Sequence, residues 1–202
     1  EEMRLYERID DAIAYSYQQS GHSFYVLTFP SASKTWAFDA STGQWAERAY
    51  RTQANVMQRV RDNCHVFYER KHLVGDWETG AIYELDLDTY TDNGDEIRRI
   101  KSFQHMVADG ARQFFSRLTL DMQAGVGVGA GDPQVSMRWS DDGGNTWSAL
   151  MTVPLGRIGQ YMNKPPFARL GMGRDRIFEV STSVDAKIAI QGAFIEAQVG
   201  TA

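Results

Sequence analysis

Phe24-Tyr25-Val26-Leu27-Thr28-Phe29-Pro30 runs into the turn Ser31-Ala32-Ser33, then Lys34-Thr35-Trp36-Ala37-Phe38-Asp39, the turn Ser41-Thr42-Gly43, and Gln44-Trp45-Ala46-Glu47-Arg48. β-Branched and aromatic residues crowd these runs, the types that pack well on a pleated, half-buried surface. Pro30 has no N–H to give a ladder and closes the first run. In the second run Trp36 and Phe38 alternate onto one face. Three short strands joined by tight turns therefore read as an antiparallel meander.

The pattern recurs further along. His65-Val66-Phe67-Tyr68 precedes Leu73-Val74-Gly75-Asp76, the turn Glu78-Thr79-Gly80, and Ala81-Ile82-Tyr83-Glu84-Leu85-Asp86. Both blocks carry Asp-x-x-Thr-Gly before an aromatic residue: Asp39, Thr42-Gly43 and Trp45 in one, Asp76, Thr79-Gly80 and, one place later, Tyr83 in the other. The offset of about 37 residues is near the period of a four-stranded propeller blade. In the second half, Phe114–Met122, Gln134–Trp139, Thr146–Val153, Ile177–Thr182 and Lys187–Phe194 read as strands separated by Gly-rich turns, the pattern of a β-sandwich. One helical candidate interrupts this, Met3–Ile13, where Leu5, Ile9 and Ile13 recur every four residues; strand alternation takes over from about Ala12. The prediction is an all-β chain: partial, propeller-blade-like modules over residues 1–95, then a sandwich-like module over 96–202.

Charge follows the same division. Residues 1–95 hold nine basic and 16 acidic side chains, and residues 96–202 hold 12 and 10. The whole chain of 202 residues is 43% apolar and 23% charged, as in well-packed globular proteins, and carries a formal charge of −5. A protein that coats nucleic acid through its phosphates leans towards Lys and Arg, so this balance argues against that role. No run of 18 apolar residues is present to make a membrane-spanning helix. Cys64, the single cysteine, has no partner for an internal disulfide. Glu1-Glu2-Met3-Arg4 reads neither as a signal peptide nor as a natural start, so the chain is expected to continue upstream.

The sharpest local motif is Ser140-Asp141-Asp142-Gly143-Gly144-Asn145-Thr146-Trp147, which matches the Asp-box pattern Ser-x-Asp-x-Gly-x-Thr-Trp. Its chemistry is that of a hairpin turn: Asp142 accepts from amides of its own turn, Gly144 supplies a positive φ, and Trp147 anchors the turn from below. Ser140, Asp142, Gly144, Thr146 and Trp147 are accordingly assigned a structural role. Gly125–Gly131 contains Gly-x-Gly-x-x-Ala, but a strand rather than a helix follows and no phosphate-binding Lys is in place, so it reads as a hairpin connection. The acidic run Asp86–Glu96 has Tyr90, Thr91 and Ile97 where a calcium-binding EF-hand loop needs an oxygen ligand, Gly and Glu; it reads as an exposed turn around Asp92-Asn93-Gly94. His22, His65, His72 and His105 lack metal-ligand spacing, although His65 and His72 fall on neighbouring strands. Ser116, Ser136 and Ser181 lie inside strands with no nucleophile elbow, and Cys64 reads as a small packed residue. Arg99 and Lys101 alternate onto one face of a strand, a solvated or subunit-facing surface rather than a DNA grip. No catalytic, cofactor-binding or metal-binding residue is assigned.

Further runs are specific: Tyr17-Gln18-Gln19-x-Gly21-His22-x-Phe24 through Pro30, Lys34-Thr35-Trp36, Thr42-Gly43-Gln44-Trp45, Lys71-His72-x-Val74-Gly75-Asp76 and Tyr83 through Asp92. They continue through Asp132-Pro133-Gln134-Val135-x-x-Arg138-Trp139-Ser140 to Gly144, Arg169-Leu170-Gly171, Arg174-Asp175-Arg176 and Phe178-Glu179-Val180-Ser181. On these residues, over nearly its whole length, the chain resembles the packaged-DNA stabilization proteins of short-tailed phages. The resemblance implies a non-enzymatic tail-hub or head-completion protein of the virion tail, assembled in the host cytoplasm, of which this chain is the C-terminal part. Copies would form a sixfold ring below the portal and its adaptor, hold the packaged genome in, and connect to the tail needle and tailspike. Two blade-like blocks cannot close a propeller, which needs about four, so further blades are expected upstream of Glu1. Acidic walls repel phosphate over about 8–10 Å, and Asp86, Asp88, Asp92 and Asp95 are the expected face towards passing DNA, which is not bound sequence-specifically. The competing reading is an Asp-box propeller that binds or hydrolyses glycans in the manner of a sialidase, motivated by the Asp-box and five tryptophans.

Overall fold

The computed structural model describes residues 2–52, 56–123, 133–156 and 164–200. They are all-β apart from one 3-10 turn, Glu2–Leu5, and fall into two compact units, Glu1–Leu87 and Asp88–Ala202. Counted by these units, basic and acidic residues number nine and 13 in the first and 12 and 13 in the second. The acidic contrast between the halves of the sequence is therefore shallower between the folded bodies, because Asp88, Asp92 and Asp95 lie in the second. No helix among the described residues is long and apolar enough to cross a membrane.

The first unit begins with β1 (Ile13–Gln19), β2 (His22–Phe29), β3 (Lys34–Asp39) and β4 (Gln44–Arg48), a four-stranded meander with every neighbour antiparallel. A short hairpin, β5 (Tyr50–Arg51) with β6 (Met57–Gln58), leads to a second meander of three strands: β7 (Asp62–Tyr68), β8 (Lys71–Asp76) and β9 (Ile82–Glu84). Up-and-down order is the connectivity of a propeller blade.

The two meanders repeat each other in register. Trp36 pairs with Glu47 and Ala37 with Ala46 in the first; Leu73 pairs with Glu84 and Val74 with Tyr83 in the second, each 37 residues on. Lys34 Nζ lies 2.5 Å from Glu47, and Lys71 Nζ lies 2.8 Å from Glu84, at the same offset. The turns after β3 and β8 are built alike: Thr42 Oγ1 donates to Asp39 at 3.0 Å and Thr79 Oγ1 to Asp76 at 2.8 Å. Gly43 and Gly80 follow at φ +70° and +74°, a region open to glycine without a Cβ penalty. The register also corrects one sequence equivalence. Tyr83 matches Ala46, not Trp45, so it lies on the opposite face and its hydroxyl donates to Asp76 at 3.2 Å. A shift of one residue in a strand exchanges faces.

The helical expectation for Met3–Ile13 fails beyond Leu5. Leu5 and Ile9 are 81% and 59% exposed, so the four-residue stripe has nothing to bury against. Tyr6 instead packs edge-on against Phe29 at 5.1 Å and accepts a hydrogen bond from Trp36 Nε1 at 3.0 Å.

The second unit opens with the β10 (Thr91–Asp92) and β11 (Asp95–Glu96) hairpin. Its body is a β-sandwich of β12 (Arg99–Ser102), β13 (Met106–Val107), β14 (Gln113–Gln123), β15 (Gln134–Ser140), β16 (Met151–Pro154), β17 (Pro166–Gly173), β18 (Asp175–Thr182) and β19 (Ala189–Val199). One sheet has the order β12-β18-β15-β16 with β13 also on β18; the other is β17-β14-β19. Val135 and Met137 of β15, Phe178 and Val180 of β18, Leu118 and Leu120 of β14 and Phe167 and Leu170 of β17 form one buried cluster. Phe115 meets Phe178 edge to face at 5.6 Å. Phe115 and Leu118 are three apart yet both buried, because a bulge between Phe115 and Arg117 shifts the register against both neighbouring strands.

Two sequence expectations change here. The strand expected over Thr146–Val153 is confined to Met151–Pro154: Thr146 is held by Asp142, and Ser148 bonds back to the Trp139 amide and carbonyl. Pro166–Gly173, not foreseen as a strand, is an edge of the second sheet. The glycine run Gly125–Gly131, and Asp132 of the resemblance, lie outside the described residues.

Candidate functional site

The Asp-box residues sit on the connection from β15 to β16. Ser140, 1% exposed, ends β15 and donates to Asp142 Oδ1 at 2.7 Å while accepting from the Gly144 amide at 2.8 Å. Asp142 accepts from the Thr146 amide at 2.8 Å and the Thr146 hydroxyl at 2.6 Å. Those bonds from Thr146, then Ser140, push the Asp142 carboxyl down to about 2. Gly144 stands at φ +96°, and a side chain there would touch the Trp147 ring at 3.8 Å. Trp147 is half-buried, with the Arg138 guanidinium 4.4 Å from its ring centre. Ser140 and Thr146, the donors to Asp142, belong to the turn itself, so the network holds the shape of the turn.

A second network, which the sequence reading did not assign, fastens this turn to the sandwich. Arg176 of β18 is 2% exposed and forms a bidentate pair with Asp141, Nε to Oδ1 at 2.6 Å and Nη2 to Oδ2 at 2.7 Å. It also donates to the Leu170 and Met172 carbonyls at 2.5 and 2.9 Å, and the Phe115 and Trp139 rings lie 4.8 and 5.1 Å from it. Gly173 makes this possible: a Cβ there would fall 2.6 Å from Asp141 Oδ1. A buried guanidinium is tolerated when it is paired and hydrogen-bonded, and here the carboxylate and the two carbonyls take four of its five N–H donors. The only sequence trace was Asp141 at a variable position of the Asp-box.

The four acidic residues of the expected DNA face are divided between the two units. Asp86 is exposed in the first unit; Asp88, Asp92 and Asp95 belong to the second. Asp92 and Asp95 stand opposite each other in the β10–β11 register, across Asn93 and Gly94 at φ +51° and +88°.

In the first unit His65 and His72 come within hydrogen-bond reach, Nε2 to Nδ1 at 3.0 Å, beside Tyr15, Tyr17 and Phe67. Burial, then the neighbouring His72, lowers the affinity of His65 for a proton. Tyr15 donates to Asp62, and burial pushes its hydroxyl well above the ordinary tyrosine range. His22 pairs with Asp39 at 2.8 Å and His105 with Asp175 at 2.7 Å. Among the described residues no three His, Cys, Asp or Glu side chains gather as a metal site. Cys64, expected to be packed, is exposed on β7. Ser116 donates to the Glu196 carbonyl at 3.1 Å, Ser136 pairs with Thr152 at 3.0 Å, and Ser181 accepts from Arg98 at 3.3 Å. The Ser116 hydroxyl also reaches the Glu196 carboxylate, at 3.4 Å.

The glycan reading draws no support from this geometry. Arg138 pairs with Glu179 at 2.6 Å, Arg176 with Asp141, and Arg99 with the Val184 carbonyl at 2.8 Å, so these arginines serve separate partners. No curated protein matches the chain. Residues 99–198, which are the sandwich just described, match the family model "Bacteriophage P22 Gp10, beta-sandwich", a family of phage structural proteins.

Proposed function

We propose that the chain is a non-enzymatic part of the tail hub of a short-tailed phage, where it helps retain packaged DNA and joins the portal and adaptor to the tail needle and tailspike. The observation that carries this reading is the family match over the sandwich. The polar networks agree with it: Asp142, Arg176 and Glu179 are engaged in turns and ion pairs that fix the shape of the sandwich. In this reading copies associate head to tail around a conduit, which requires two different complementary patches on each subunit.

The test is to mix the protein with its portal and adaptor, weigh the assembly by native mass spectrometry, and image it. A ring of copies seated below the portal is the expected result. A protein that stays monomeric and leaves the portal bare at micromolar concentration would overturn the reading. Charge reversal of Asp86, Asp88, Asp92 and Asp95 is expected to slow genome ejection; unchanged kinetics would remove the acidic conduit from it.

A further inference from the structure

We propose that the slot beside β12 in the sandwich binds an extended segment of a partner protein in which acidic and apolar residues alternate. Three features converge there. The slot has a volume of about 410 Å³ and lies between β12, β18 and β19, with Phe103, Val180, Ile188 and Ile190 among its walls. β12 pairs with β18 on one side, β19 pairs with β14, and neither has a strand on its other edge among the described residues. Two cations, Arg99 and Lys101, also line it.

The register places those cations on the side that normally holds hydrophobic residues. Arg99 stands opposite Thr182 and Lys101 opposite Val180, and Thr182 and Val180 are 7% and 1% exposed. Ile100, on the alternate face, is 46% exposed. Lys101 makes no ion pair among the described residues, whereas Arg99 is held by the Val184 carbonyl and the Tyr90 ring. Inward charges on an edge strand keep apolar strands from adding to it. The same charges select a strand whose matching positions are acidic: two acidic residues two positions apart have the spacing of Arg99 and Lys101, and the apolar residue between them falls on the face of Ile100. An open backbone edge favours a peptide, which exchanges main-chain hydrogen bonds, over a free small anion. The slot's chemistry stands apart from the ring reading, which bears only on where the partner comes from.

The experiment titrates the chain with a capped hexapeptide of alternating Asp and Leu. Controls are the Lys–Leu hexapeptide, the Asp–Leu peptide N-methylated on alternate amides, and decanoate. Saturable binding of the Asp–Leu peptide alone is expected, weakening as salt is raised. Lys101→Glu is expected to weaken it by about tenfold or more, and Lys101→Ala by less. Equal binding of both unmethylated peptides, binding indifferent to Lys101, or binding of decanoate but no peptide would each overturn the proposal. Circular dichroism of both variants shows that the sandwich remains folded. A monomeric chain that still binds the peptide would count against the ring and not against the slot.

Discussion

The two units hold themselves together by different means. The sandwich buries a continuous cluster that includes Leu118, Leu120, Val135, Met137, Phe167, Leu170, Phe178 and Val180, drawn from both of its sheets. Among the described residues, the buried cluster of the first unit has three members, Tyr17, Val26 and Ala37. Around them, contacts between rings and polar groups replace apolar volume: Tyr17 stacks on Phe24 at 5.0 Å, meets His65 and His72, and accepts from Arg48 at 2.7 Å. Thr28 and Thr35, 2% and 0% exposed, bond to each other at 2.9 Å. A narrow meander cannot supply enough apolar area from alternate positions, so turns and specific pairs carry a larger share of its stability. The lesson is that one all-β chain combines a burial-dominated body with a body that depends on exact polar geometry.

That contrast can be broken or sharpened by substitution. The largest effect is expected for Phe178→Ala, which empties the centre of the sandwich and costs about 3–5 kcal/mol in denaturant unfolding. Val135→Ala and Val26→Ala, both at positions 0% exposed, form the matched comparison. The sandwich variant is expected to lose more, and equal losses would break the contrast. Next comes Asp141→Ala, which leaves Arg176 buried without its carboxylate and costs about 3 kcal/mol. Gly173→Ala forces the same pair apart and costs about 1–3 kcal/mol. A loss below 0.5 kcal/mol, by the standard of an ordinary surface site, would show that the pair does not hold the turn.

In the first unit, Asp76→Ala removes bonds from the Glu78 and Thr79 amides and the Thr79 and Tyr83 hydroxyls. It is expected to cost about 2 kcal/mol. Asp39→Ala is expected to cost less, because Ala46 stands where Tyr83 reaches Asp76 and the extra partner of Asp39 is the exposed His22. Thermal unfolding of the pair decides this, and the reverse order would dissolve the distinction between the repeats.

The smallest expected effect concerns pH. His65 binds a proton less readily in the folded unit because of burial and then His72, with Asp62 acting the other way. The unfolded state therefore takes up more protons, and its contribution is present above about pH 6.5 and lost as pH falls below that. Asp142, pushed down to about 2, keeps its charge through this range. Hydrogen exchange between pH 7 and 5 is expected to loosen β1 and β7 while the β15–β16 turn holds, and His72→Gln is expected to reduce the change. Uniform loosening of both units would remove the histidine pair as its cause.

Much of the strand pattern is readable because its causes are local. Pro30, the Thr-Gly turns and the alternation of Trp36 with Phe38 lie within a few residues of the structure they specify. The hydrogen bonds of Asp142 also come from within four positions. Arg176 was not readable, since its partner stands 35 residues away and charged residues usually lie at the surface. His65 and His72 were seen to fall on neighbouring strands, but their contact depends on the β7–β8 register. The four-residue stripe of Met3–Ile13 is a real pattern that found no surface to cover.

By itself, the sequence determined that the chain is all-β, where strands such as Lys34–Asp39 and Gln44–Arg48 lie, and that one block repeats about 37 residues on. These properties follow from backbone preference, alternation and turn chemistry, which act over a few residues. Tertiary structure alone decided which side chains of different strands meet, which charges are buried with a partner, and that Arg99 and Lys101 line a slot. Those outcomes depend on register and on how the sheets stack, and a change of one residue in either would exchange the inner and outer faces.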